Sequence, residues 1–83
     1  MPKIPRDISG RELAKLLRKY NYTLIRETGS HLRLNTNIMG SSHSITIPDH
    51  TTLKIGTINN ILNEVASYLR ISKEKLINEL FES

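Results

Sequence analysis

There is no cysteine among the 83 residues. That excludes disulfides, thiolate metal sites and a thiol nucleophile, and it says nothing about redox compartment. No apolar run approaches the roughly 20 residues of a membrane span. Lys3 and Arg6 stand near the start, but no apolar stretch follows them, so residues 1–9 lack a secretory pattern and the expected location is the cytoplasm. A Gly-rich phosphate loop and a G-x-S-x-G elbow are both missing. There is also no internal repeat and no low-complexity stretch. The three histidines, His31, His43 and His50, are 12 and 7 residues apart. Neither spacing matches a standard ligand motif, so no metal or other cofactor is expected.

What remains suits a single small domain with a thin core, in which most apolar residues are needed for packing. Lys and Arg total 12 against 8 Asp and Glu, a formal charge of +4. The excess is compatible with a polyanionic partner. Most of it lies in residues 1–54, while Glu64, Glu74, Glu79 and Glu82 balance Arg70, Lys73 and Lys75 further on. A nucleic-acid face would therefore be built from the first two thirds of the chain.

Pro2 and Pro5 mark an extended arm over residues 1–8. Ser9 and Glu12 have capping-box spacing and open a helix whose apolar face is Leu13, Leu16, Leu17 and Tyr20, with Asn21 as its stop. Three short strands follow. Residues 22–27 are rich in β-branched and aromatic side chains, and Gly29-Ser30 reads as a tight connection. Residues 31–35 alternate, with Leu32 and Leu34 inward and His31, Arg33 and Asn35 outward. A polar loop around Gly40 leads to residues 43–47, with Ile45 and Ile47 inward, and Pro48 closes the strand. Ile58, Ile61, Leu62, Val65 and Leu69 then mark a second amphipathic helix beginning near Gly56-Thr57. Ser72 can cap a third, striped with Leu76, Ile77, Leu80 and Phe81.

The order is α-β-β-β-α-α: an α+β domain in which two helices cover one face of a three-stranded antiparallel sheet. The double-stranded-RNA-binding domain has this α-β-β-β-α arrangement, here with an extra C-terminal helix. The opposite sheet face would stay open and carry His31 and Arg33. Imidazole titrates near neutrality and can move a proton at pH 7, and a neighbouring guanidinium can hold a phosphate in bidentate fashion. RNA brings its own nucleophile, the 2′-hydroxyl, so a base, an acid and positive charge suffice to cut it. An exposed histidine at a strand start is also commonly no more than a polar surface residue, and His43 reads as one, in or near a mobile loop. Lys54 precedes a helix start whose backbone N–H groups can bind an anion, or it is an ordinary solvated lysine. Glu27 and His50 are the candidate neighbours of His31.

Gly29-Ser30-His31 after a helix and a strand, Ile45-Thr46-Ile47-Pro48, His50, and Leu53-Lys54-x-Gly56-Thr57-Ile58-x-x-Ile61-Leu62 form an ordered set. Over about residues 9–69 it resembles the HicA family, small mRNA interferases of bacterial and archaeal toxin–antitoxin pairs. The resemblance implies a metal-independent endoribonuclease of double-stranded-RNA-binding-like fold. It puts the catalytic residue at His31 and matches His50 and Lys54 to the family pattern; with Ser30 and Arg33 these are the candidate supporting RNA or phosphate contacts. The partners it implies are mRNA and a HicB-like antitoxin that covers the active face, with no membrane and no small-molecule cofactor. The expected organisation is one domain over 1–83: an arm at 1–8, a core at 9–69 and an additional helix at 72–82. That helix, absent from shorter members, could serve antitoxin or self-association contacts. Two other readings use the same residues. One is a non-catalytic RNA-binding module that engages Arg11, Lys15, Arg18 and Lys19. The other is an inactive toxin-like protein that only binds its antitoxin.

Overall fold

A computed structural model describes residues 4–82. Its elements are α1 (Gly10–Leu16), a 3-10 turn (Leu17–Tyr20), β1 (Thr23–Thr28), β2 (His31–Thr36), β3 (His43–Pro48), α2 (Ile55–Leu69) and α3 (Lys73–Phe81). The strands form one antiparallel sheet in the order β1-β2-β3. The architecture is the expected α+β arrangement, α-β-β-β-α-α, consistent with a double-stranded-RNA-binding-like fold.

Capping and close approach fix the first helix. The Ser9 hydroxyl accepts from Glu12 N at 3.0 Å, and the Glu12 carboxylate accepts from Ser9 N at 3.0 Å. These bonds satisfy two donors that a helix start leaves without partners. The last turn tightens into the 3-10 segment, and Asn21 ends it in the left-handed region at φ 64°, a conformation asparagine tolerates. Of the arm expected over residues 1–8, residues 1–3 lie outside the described residues, while Ile8 is buried and Ile4 packs against the core.

One apolar layer holds the domain together. Leu32, Leu34, Ile45 and Ile47 meet Leu13 and Leu17 from the first helical segment and Ile58, Ile61, Leu62 and Val65 from α2. All ten are at least 95% buried. Leu76, Ile77 and Leu80 of α3 are buried too. Lys19 Nζ donates to the Glu79 carbonyl at 2.7 Å, and the Tyr20 hydroxyl donates to the Glu79 carboxylate. The extra helix is therefore part of the core.

Several boundaries differ from the sequence reading. Tyr22 precedes β1 rather than opening it. Its ring is fully buried, its hydroxyl shares a 2.7 Å hydrogen bond with His43 Nδ1, and burial pushes its phenol pKa upward. His43 is correspondingly no loop residue. It stacks on Tyr68 with ring centroids 4.6 Å apart. The Tyr68 hydroxyl accepts from Met39 N at 2.9 Å and donates to the Ser41 carbonyl at 2.6 Å, fastening the β2–β3 connection to α2. Pro48 is the last residue of β3 and stands opposite His31. An edge strand tolerates it there because the missing N–H faces away from the ladder. Helix α2 begins at Ile55, with Lys54 at the N-cap position.

Candidate functional site

The bond pattern of β1 decides what the open face displays. Leu24 stands opposite Leu34, but the register shifts between Leu24 and Arg26, so that Arg26 stands opposite Arg33, Glu27 opposite Leu32 and Thr28 opposite His31. Ile25 is the extra residue of this bulge, which reverses the alternation that would otherwise hold along the strand. Arg26 and Thr28 thus join His31, Arg33 and Thr46 on the uncovered face, and all five side chains are exposed. Glu27 is turned to the helix face.

Glu27 is consequently not a neighbour of His31, as the sequence reading allowed. It accepts from Arg11 Nη2 at 2.8 Å, and Arg11 also grips Asp49 through Nε at 3.1 Å and Nη2 at 2.9 Å. The two carboxylates hold the Arg11 guanidinium pKa above its ordinary value, Asp49 contributing most. Asp49 in turn donates its backbone N–H to the Ser30 carbonyl at 2.6 Å. The β1–β2 turn is short because Gly29 adopts φ 53°, a conformation that costs glycine little. Strand pairing, turn and Arg11–Asp49 clamp together fix where His31 emerges.

His31 borders a cleft of about 340 Å³ lined also by Thr46 and Pro48 of β3 and by Thr57, Asn60, Ile61 and Glu64 of α2. Helical spacing puts Thr57, Asn60 and Glu64 along one flank of α2, beside the β3 edge. Arg33 lies two residues from His31 on the same side of the strand, roughly 7 Å along it, and donates to the Thr46 hydroxyl at 2.7 Å. Among the described residues Arg26 and Arg33 have no carboxylate partner, the ion pairs there being those of Arg11. No Asp or Glu from any strand faces this side.

The remaining expected site residues, Ser30, His50 and Lys54, are not among those that line the cleft. Ser30 is in the turn, where its carbonyl is the bonded group. His50 is exposed and accepts from Gly10 N at 3.0 Å through its carbonyl. Lys54 is exposed at the start of α2. The sequence reading missed Arg26 and the α2 flank. For Arg26 the signal is hidden by the bulge. For Asn60 and Glu64 it was available, since they occupy the polar side of the second helix. Among the described residues no group of three His, Asp or Glu side chains could hold a metal ion.

A family model described as the HicA toxin of bacterial toxin-antitoxin systems matches residues 10–66, over half of the chain. The chain belongs to the HicA toxin family. No curated protein and no solved structure matches it. Membership places the protein in a toxin–antitoxin system and implies an antitoxin partner. The matched segment runs from α1 into α2 and takes in every residue that borders the His31 cleft. Helix α3 lies beyond it. Among the described residues no helix is long and apolar enough to cross a membrane.

Proposed function

We propose that this HicA-family chain is an endoribonuclease that cleaves mRNA without a metal, with His31 as its catalytic residue and a HicB-like antitoxin neutralising it by covering the His31 face. One observation carries the reading. His31 stands exposed at a cleft, two residues along the strand from a pair of arginines that face each other across the sheet without carboxylates. Like charges directly opposite one another weaken a sheet. A phosphate lying between Arg26 and Arg33 would relieve that repulsion and bring an adjacent ribose toward His31.

The chemistry needs little else. The neutral imidazole of His31 takes the proton of a ribose 2′-hydroxyl, and that oxygen attacks the adjacent phosphorus. The bond from phosphorus to the 5′-oxygen breaks, and the leaving oxygen takes a proton from water. The products are a 2′,3′-cyclic phosphate and a 5′-hydroxyl. The guanidiniums offset the charge that gathers on the phosphoryl oxygens as the bond changes proceed.

The test is cleavage of labelled RNA by purified protein. His31→Ala should keep its fold and lose about 10²–10⁴-fold in rate, the usual worth of a positioned acid–base group. RNA fully 2′-O-methylated should survive intact, because its nucleophile is blocked. Cutting of that RNA, or undiminished cutting by His31→Ala, would end this reading. In cells, the wild type should arrest growth and degrade mRNA when expressed without its antitoxin, and His31→Ala should do neither.

A further inference from the structure

The cleft beside His31 is unlike a phosphate site. Its α2 flank presents a carboxylate, Glu64, a carboxamide, Asn60, and a hydroxyl, Thr57, and no lysine or arginine lines it. A carboxylate repels phosphate but accepts hydrogen bonds, and among the described residues none of these three side chains makes a hydrogen bond or an ion pair, although the Glu64 charge lies close enough to the Tyr22 hydroxyl to help raise its pKa. Pro48 and Ile61 supply apolar surface for the remaining wall. A volume of about 340 Å³ is at the small end of ligand pockets, which span about 300–1,000 Å³. The basic part of the site, Arg26 and Arg33, lies outside the lining residues.

We infer that this cleft is a nucleobase pocket that selects guanine at the nucleotide next to the cut, with Glu64 as the residue that reads it. The inference rests on the RNA-cleaving reading of the same site. Guanine offers two parallel donors, N1–H and the N2 amino group, to the two oxygens of one carboxylate. Adenine and cytosine offer a single amino donor beside a ring acceptor, and uracil offers one N–H flanked by two carbonyls. Of the four bases, guanine matches a lone carboxylate best and uracil worst. The Asn60 amide and the Thr57 hydroxyl are the donors available for guanine O6. Phosphate contacts position an RNA chain, whereas contacts to base edges specify sequence. The site divides along that line, with arginines on the sheet and neutral or acidic groups on the helix.

The experiment uses an RNA pool with a randomised segment, cut by the full chain, with the ends sequenced. Wild type should cut beside guanine in preference to uracil. Glu64→Gln replaces one acceptor oxygen by a donor, and the guanine-to-uracil ratio should fall about 5- to 150-fold, the range for one bidentate base contact. The ratio is the readout because a merely structural loss would lower all substrates together and leave it unchanged. An unbiased wild type, or an unchanged ratio in Glu64→Gln, overturns the pocket assignment. If the wild type cuts nothing, the cleavage reading fails separately. The pocket is then decided by binding, with fluorescent 2′-O-methylated oligonucleotides that differ by a single guanine. Tighter binding of the guanine oligonucleotide that Glu64→Gln abolishes supports it, and equal binding overturns it.

Discussion

At the scale of single residues, Gly10 shows how a position far from the chemistry in sequence can govern it. A Cβ at Gly10 would sit 2.0 Å from the Pro48 carbonyl oxygen. Because the obstacle is backbone, no rotamer change relieves it. Pro48 is the cross-strand partner of His31, and the Gly10 N–H itself is bonded to the His50 carbonyl. Alanine would gain about 1 kcal/mol of helix propensity over glycine, while overpacking of this kind costs about 1–3 kcal/mol. The clash involves fixed groups on both sides, so it wins. Gly10→Ala should lower stability by up to about 2 kcal/mol, measured by urea unfolding. It should also reduce RNA cleavage by more than the unfolded fraction explains, because the β3 end must shift. A stabilised Gly10→Ala variant would mean that residues 48–50 move freely against α1.

The elements rank by how local their causes are. The first helix is legible from Ser9 and Glu12 because a capping box is a four-residue signal, and both of its hydrogen bonds are formed. Ser9→Ala should cost about 1 kcal/mol, the usual worth of an N-cap. Backbone and hydroxyl hydrogen bonds from Ser9 hold the Glu12 carboxyl below its ordinary value of 4.5. A lowered folded-state pKa means that the contribution is complete above the unfolded value and is lost as pH falls through the folded one. The difference between wild type and Glu12→Gln should therefore shrink as urea unfolding is repeated from pH 6 down through 4.5 and below, and a constant difference would remove the carboxylate from the cap. The second strand is equally legible, since Leu32 and Leu34 alternate cleanly with His31 and Arg33. The first strand is not. Its bulge at Ile25 is a property of pairing with β2, and no local signal announces it. It turns Glu27 away from His31, brings Arg26 to Arg33, and leaves Leu24 and Ile25 about half exposed on an edge. His43 was obscure for a related reason. The rings that enclose it come from Tyr22 and Tyr68, which lie 21 and 25 residues away in the chain, and only the assembled core brings them together.

For the whole molecule the decisive feature is how charge is distributed over two surfaces. A net charge of +4 permits RNA to approach from several sides. Lys15 and Arg18 line a cleft between α1 and β1 on the helix side of the sheet, whereas Arg26 and Arg33 share the opposite face with His31. Salt dependence separates the two surfaces. Each phosphate contact with single-stranded RNA contributes about 0.7 to the slope of log affinity against log salt. Arg26→Ala and Arg33→Ala should each flatten that slope by about 0.7, measured by fluorescence anisotropy with 2′-O-methylated RNA to prevent cutting. Lys75→Ala, on α3 away from both surfaces, should leave it unchanged. The pattern has a sharp opposite. If Lys15→Ala and Arg18→Ala flatten the slope and the two sheet arginines do not, RNA lies across the first helix, and His31 faces away from the strand it would have to cut. The carboxylate-free sheet face argues against that outcome, because a polyanion crossing α1 would also have to pass the Arg11 cluster, where Glu27 and Asp49 already neutralise the cation.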